Sequence, residues 1–343
     1  EGILGNGIII GASLANYDAV TQYAFSAKLG GIFYLKDLEG DTNESLSNST
    51  LNASLSHSFD QTLRYNGSLS FAWQPEPNYS NGIANSRRDG DYIYVYVSSS
   101  LSKAWTTRYS TTVGASYSMI DYQEDSAKTD NRQYFNLNLN NRYKWTERLA
   151  LSINWNGSYC DREYGNNEFS NFVMAGAEYA VAQNTSATLR VGPQFKHVDN
   201  YGTKTYPSAE FGLNHRMSDR FSLGMFVRYS NEATNTYVPQ TGASYYSNET
   251  WRVGLTSTMK VTHRVSLNAG VNLISSDYSR PSSSSTDTKT LTFNATAGVK
   301  MMLTNVLALT AQYSYTNGSY SGYNFPMPSY NRNVFSFGMN YSF

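Results

Sequence analysis

The sequence predicts an all-β chain, a single transmembrane antiparallel β-barrel domain over residues 1–343 with about 16 to 18 strands. Three observations predict it. Apolar and polar residues alternate with period two in segment after segment, which is the pattern of a strand with one oily and one wet face. Short polar breaks alternate with long polar segments, so the strands come in hairpins. From residue 51 to residue 343 the oily face almost always carries the odd numbers.

Composition fits that class. Charged residues are 15% and aromatics 15%, with 29 Tyr against 16 Phe and 5 Trp. Mean hydropathy is −0.48, and no apolar run approaches the roughly 18 residues of a membrane helix. That excludes helical spans and leaves a barrel open, because alternating strands average to hydrophilic. The 26 basic and 26 acidic residues balance, so nothing points to nucleic acid. Cys160 is the one cysteine, which makes an intramolecular disulfide impossible and fits neither a disulfide scaffold nor a thiolate metal site. No signal peptide is visible, so for an exported protein the expectation is a mature form or a fragment.

In chain order, residues 1–7 form a Gly/Asn lead-in and residues 8–17 (IIIGASLANY) read as extended. After a polar break at Asp18 and Ala19, residues 22–37 alternate again, and residues 38–48 read as an acidic loop. Then Leu51, Ala53, Leu55 and Phe59 share one face, followed by Leu63, Tyr65, Leu69, Phe71 and Trp73. Residues 74–90 form a polar loop with Pro75, Pro77, Arg87 and Arg88. Later breaks resemble one another: WTTRYS (105–110), WTERLAL (145–151), MSDRFSL (217–223), VTHRVSL (261–267) and LTNVLAL (303–309). Between them lie longer polar segments at 123–131, 161–168, 198–204, 232–248, 276–288 and 316–333. The hairpin period is about 40 residues, and each strand has roughly the ten residues that cross a bilayer when tilted.

Seventeen segments are read. Closed barrels of this kind are normally even. One further ascending strand upstream would give about 18 in the complete protein, and about 16 remain if residues 8–17 are a periplasmic lead or plug. Aromatics mark both ends of the odd face. Phe59, Trp105, Tyr143, Trp145 and Tyr179 lie near the short breaks, and Trp73, Tyr117, Tyr159, Tyr229, Trp251 and Tyr315 lie toward the long ones. Two interfacial girdles are expected.

The last ten residues, VFSFGMNYSF, alternate strictly and end on an aromatic. They resemble the closing strand of bacterial outer-membrane barrels, and the resemblance makes Phe343 and Tyr341 part of the assembly signal. Residues 34–71, the proline loop QPEPNYSNGIANSRRDGDYIY (74–94) and WTTRYSTTVGASYS (105–118) resemble the β-barrel porin type 2 family of outer-membrane proteins, with Pro75 to Tyr92 the most distinctive stretch. The resemblance implies an outer-membrane barrel and no catalytic residues.

Even positions should line the lumen, and they are mostly Ser, Thr, Asn, Gln and Gly. Their charges lean basic, with Glu178 and Glu210 the chief acids, which predicts a lumen favouring anions. Arg108, Arg148, Arg220 and Arg264 sit beside the short breaks and are expected to rim the periplasmic mouth. Glu210, Arg228 and Arg252, with Lys28 at comparable depth, are the candidate pore-lining cluster; a cross-strand ion pair stiffening the wall is the alternative. Catalysis is not expected, since His57, His197, His215 and His263 converge on no nucleophile. No cofactor and no metal are expected.

The expected role is an outer-membrane channel for passive diffusion of small hydrophilic solutes. The alternative is a structural or export barrel that docks a surface polysaccharide or an appendage. Expected partners are outer-membrane lipid, lipopolysaccharide and the barrel assembly machinery. A homo-oligomer or a surface or periplasmic partner is left open.

Overall fold

The computed structural model describes residues 5–34, 44–45, 49–74, 92–123, 131–163, 165–232, 237–238, 243–244, 246–279, 288–304, 306–321 and 329–341. The proline loop and Phe343 lie outside the described residues. The strands are β1 (Gly5–Tyr17), β2 (Thr21–Tyr34), β3 (Glu44–Ser45), β4 (Ser49–Ser58), β5 (Leu63–Gln74), β6 (Tyr92–Ala104) and β7 (Tyr109–Tyr122). Next come β8 (Arg132–Lys144), β9 (Leu149–Arg162), β10 (Glu168–Ala182), β11 (Thr185–Val198), β12 (Gly202–Arg216) and β13 (Phe221–Asn231). The small β14 (Tyr237–Val238) and β15 (Ala243–Ser244) pair only with each other. The series ends with β16 (Ser247–Lys260), β17 (Val265–Ser279), β18 (Thr288–Met302), β19 (Leu307–Ser321) and β20 (Tyr330–Tyr341).

Seventeen antiparallel strands form one sheet, each paired with its neighbour in sequence, matching the segments read from the sequence. The two-residue β3 extends the ladder beside β2. β1 pairs with β2 alone and β20 with β19 alone, and no pairing among the described residues joins β1 to β20. These two edges run in the same direction, so a single antiparallel strand would fit between them.

Register explains why odd numbers keep one face. Odd residues pair with odd residues across the hairpins from β2 to β20, as in Leu51↔Phe71, Leu139↔Trp155, Met225↔Leu255 and Leu309↔Met339. Such pairing needs an odd number of residues between the partners, as in the five between Ser58 and Arg64 or between Ala104 and Ser110. One hairpin departs: the β10–β11 register shifts between Ala180 and Ala182, so a bulge absorbs one residue next to the turn and parity is restored at Ala180↔Ser186. Parity flips once, across the first turn, where Leu14 pairs with Phe25.

The odd face is an apolar band turned outward. Ile153 is 63% exposed, and Leu137, Val113, Leu189 and Leu255 are also exposed. In water this would be an untenable surface; against acyl chains it is the required one. The girdles close the band. Phe59, Trp105, Tyr143, Trp145 and Tyr179 are exposed at the turn end. At the other end Tyr229 and Trp251 stack with centroids 4.8 Å apart, and the Tyr229 hydroxyl donates to Glu249 at 2.7 Å.

The turns share one construction. The hydroxyl of Thr106, Thr146, Ser218, Thr262 and Thr304 accepts from two backbone amides, two and three residues ahead, at 2.9–3.2 Å. In the 59–63 turn Asp60 does the same work, accepting from the Thr62 hydroxyl and the Thr62 and Leu63 amides. Those hydrogen bonds, the Thr62 hydroxyl first, hold its carboxyl below the usual carboxylate range. The recurring motif is thus a hydroxyl that ties off a tight turn.

Two connections expected to be long loops are short. β11 runs to Val198 and β12 starts at Gly202, with Asn200 (φ 69) and Gly202 (φ 80) turning the chain. β9 likewise runs to Arg162 and β10 starts at Glu168. The physical reason is that the inner face of a barrel strand is polar anyway, so polar residues do not end it.

Candidate functional site

The even face encloses the lumen. Its strands bring four charges into one cross-strand row: Arg190 on β11 faces Glu210 on β12, Glu210 faces Arg228 on β13, and Arg228 faces Arg252 on β16. Arg190 Nη1 lies 3.5 Å and Arg228 Nε 3.6 Å from the two oxygens of Glu210. One carboxylate therefore answers two guanidiniums, loosely, and the Nε atoms of both arginines are buried without a hydrogen-bond partner. Arg252 is satisfied differently, through a bidentate pair to Glu232 at 2.6 Å on each arm. The row borders a cavity of about 690 Å³ lined by Arg190, Glu210, Gly212, Phe226, Arg228 and Arg252 among others. Residues of β6 and β17 line the same cavity, so the sheet curls around it.

At the loop end of the row lies a packed polar layer. Glu168 receives Arg162 at 2.8 Å and Lys196 at 3.0 Å. Lys196 also donates to the Asn231 side chain at 2.9 Å and to the Glu232 carbonyl at 2.8 Å. Gln194 donates to the Asn231 carbonyl at 2.6 Å and accepts from its amide at 2.9 Å. Gln194 is 0% and Lys196 1% exposed. Charged groups endure such burial only when paired and hydrogen-bonded. Glu232, just past β13, shows the balance: burial alone would raise its carboxyl, yet the Arg252 hydrogen bonds and charge hold it below its ordinary range.

The structure therefore brings Glu210, Arg228 and Arg252 together. Lys28 stands apart on β2, beside Gly11 and Thr50. Arg108, Arg148, Arg220 and Arg264 are exposed at the turn tips, two residues after the capping hydroxyls in their turns. Tyr341 is the last residue of β20. Glu168, Glu232 and Phe226 were not among the sequence-predicted site residues. The first two read as loop acids, although both occupy even positions. Phe226 carried a legible signal, a large apolar residue on the polar parity.

Residues 189–343 match the family model described as the outer membrane protein beta-barrel domain. Comparison with curated proteins finds no match. Among solved structures the chain is similar to the copper transporter OprC, with 10% identity, a TM-score of 0.51, and coverage of 99% of this chain and 64% of that one. It is similar to a mutant of the ferric enterobactin receptor PfeA from Pseudomonas aeruginosa, with 9% identity, a TM-score of 0.46, and coverage of 98% and 70%. It is also similar to the FrpB iron transporter from Neisseria meningitidis, with 10% identity, a TM-score of 0.48, and coverage of 94% and 62%. The chain thus spans between 62% and 70% of the length of these three. At such identity the likeness is one of fold. The strand architecture, the lipid-facing band and the family match define an outer-membrane β-barrel, and its place is the bacterial outer membrane.

Proposed function

We propose that this barrel is a channel for the passive diffusion of small hydrophilic solutes, with a lumen that favours anions. The observation that carries the reading is the row in which Arg190 and Arg228 share the single carboxylate of Glu210 at the edge of a lumenal cavity. A fixed cationic excess on a low-dielectric wall raises the local anion concentration. The role is transport, not catalysis. Its partners are outer-membrane lipid and lipopolysaccharide around the odd face, and the assembly machinery at the last strand.

A planar-bilayer recording tests it. The native chain should give stable unitary currents with a reversal potential shifted toward the anion. Arg190→Glu with Arg228→Glu should move the reversal potential toward the cation. Unchanged selectivity in the double variant would remove the row from the conduction path. A second reading, a barrel that docks a partner, draws on the packed layer around Gln194 and Lys196. A membrane that stays silent with correctly folded protein would favour it.

A further inference from the structure

Phe226 differs from the other apolar residues of the even face, such as Ile120, Phe172 and Ile274, in its exposure. Among the described residues of β2 to β20, Phe226 is the one large apolar side chain on an even strand position that is well exposed, at 43%. Its ring lies over Gly254 on β16, where an added Cβ would collide with the ring. On its other side β12 places Gly212, where an added Cβ would find only Thr188 within reach. Covering a bare glycine explains why a ring can sit there. It does not explain why the opposite strand is also bare, leaving open room beside the ring in the cavity that both residues line.

Arg228 stands two residues further along the same face of β13, about 7 Å away by strand geometry. It and Arg190 exceed Glu210 by one positive charge, and both side chains stay partly exposed. Arg252 adds no further excess, because Glu232 holds both of its arms. We infer that this part of the cavity is a binding site for a small monoanionic carboxylate bearing a flat apolar ring. The carboxylate meets the guanidiniums of Arg190 and Arg228 from the lumen side of Glu210, and the ring lies against Phe226 over Gly212. The inference rests on the channel reading only in that the solute reaches the lumen from water. A guanidinium pair recognises a carboxylate through charge-assisted hydrogen bonds, and a phenyl face recognises a ring by offset stacking.

The test is calorimetric titration of the full chain in detergent with benzoate, with acetate (charge without ring) and with benzyl alcohol (ring without charge). Benzoate should bind at least about tenfold more tightly than either. Arg228→Gln should bring benzoate down toward benzyl alcohol. Phe226→Leu, which still covers Gly254, should bring it down toward acetate and leave acetate itself unmoved. Equal affinities for benzoate and acetate in the native chain overturn the ring half, and equal affinities for benzoate and benzyl alcohol overturn the charge half. Either result sinks the proposal. Bilayer currents separate the two readings: conductance without benzoate binding ends this site and keeps the channel, and binding without conductance ends the channel and keeps this site.

Discussion

Arg252 and Glu232 illustrate what a charge inside a barrel requires. Their two short hydrogen bonds offset a large desolvation cost, so removing one partner strands the other. Arg252→Leu should therefore destabilise the folded barrel by about 3–5 kcal/mol, measured from urea unfolding in detergent. The double change Arg252→Leu with Glu232→Leu should recover most of that loss, because no charge is left alone. The pair also makes stability depend on pH. The Glu232 carboxyl is held below its ordinary value of 4.5 when folded. Its contribution is thus complete above that value and is lost as pH falls through the lower folded value. Unfolding midpoints should drop below about pH 4 in the native chain, and less in Glu232→Gln. The layer around Glu168 and Lys196 follows the same rule of pairing, and its members come from β9, β10, β11 and the end of β13.

At the level of the hairpin, the turns show what a short motif encodes. Thr106, Thr146, Ser218, Thr262 and Thr304 each satisfy two amides that a tight turn leaves without strand partners. Thr262→Val should cost about 1 kcal/mol of stability, the worth of a typical net hydrogen bond. Thr106→Val should cost as much, and Thr107→Val, one position on, should cost almost nothing in the same unfolding assay. The similarity of WTTRYS, WTERLAL and VTHRVSL was plain in the sequence, but the role of the hydroxyl was not, since it depends on where the amides two and three residues ahead point. Strand ends were harder. Polarity marks the end of a soluble strand, yet here residues 161–162 and 198 continue β9 and β11 on a polar inner face. The face of each strand was legible because lipid imposes one parity on all of them, and Leu255 or Val271 can satisfy it without reference to any distant residue.

For the whole molecule, the two-faced wall is the property from which the rest follows. Hairpins of even register carry the same parity from β2 to β20, and the one irregular turn restores it with a bulge beside Ala180. That is why a one-residue period error anywhere would be visible as lipid-facing Arg or Asn. The charged row was partly legible for the same reason: the Ser218–Asp219 turn fixes Glu210 opposite Arg228 by counting alone. Arg252 was also placed in the cluster by counting, but Arg190 and the partners around the row needed the fold. Glu232 reaches Arg252 from beyond the end of β13, and Phe226 meets Gly254 across a strand pair whose register the sequence leaves to the loop between them. At the outer edge, Phe337 on β20 is 83% exposed, because among the described residues that strand has a neighbour on one side only. The most direct test is a nitroxide scan of β13 in lipid bilayers, with Cys160 replaced by Ser and single cysteines placed in turn from Leu223 to Tyr229. Odd positions should collide with oxygen dissolved in the acyl chains and even positions with a water-soluble nickel chelate, in strict alternation. Accessibility without a two-residue period, or odd positions facing water, would contradict it.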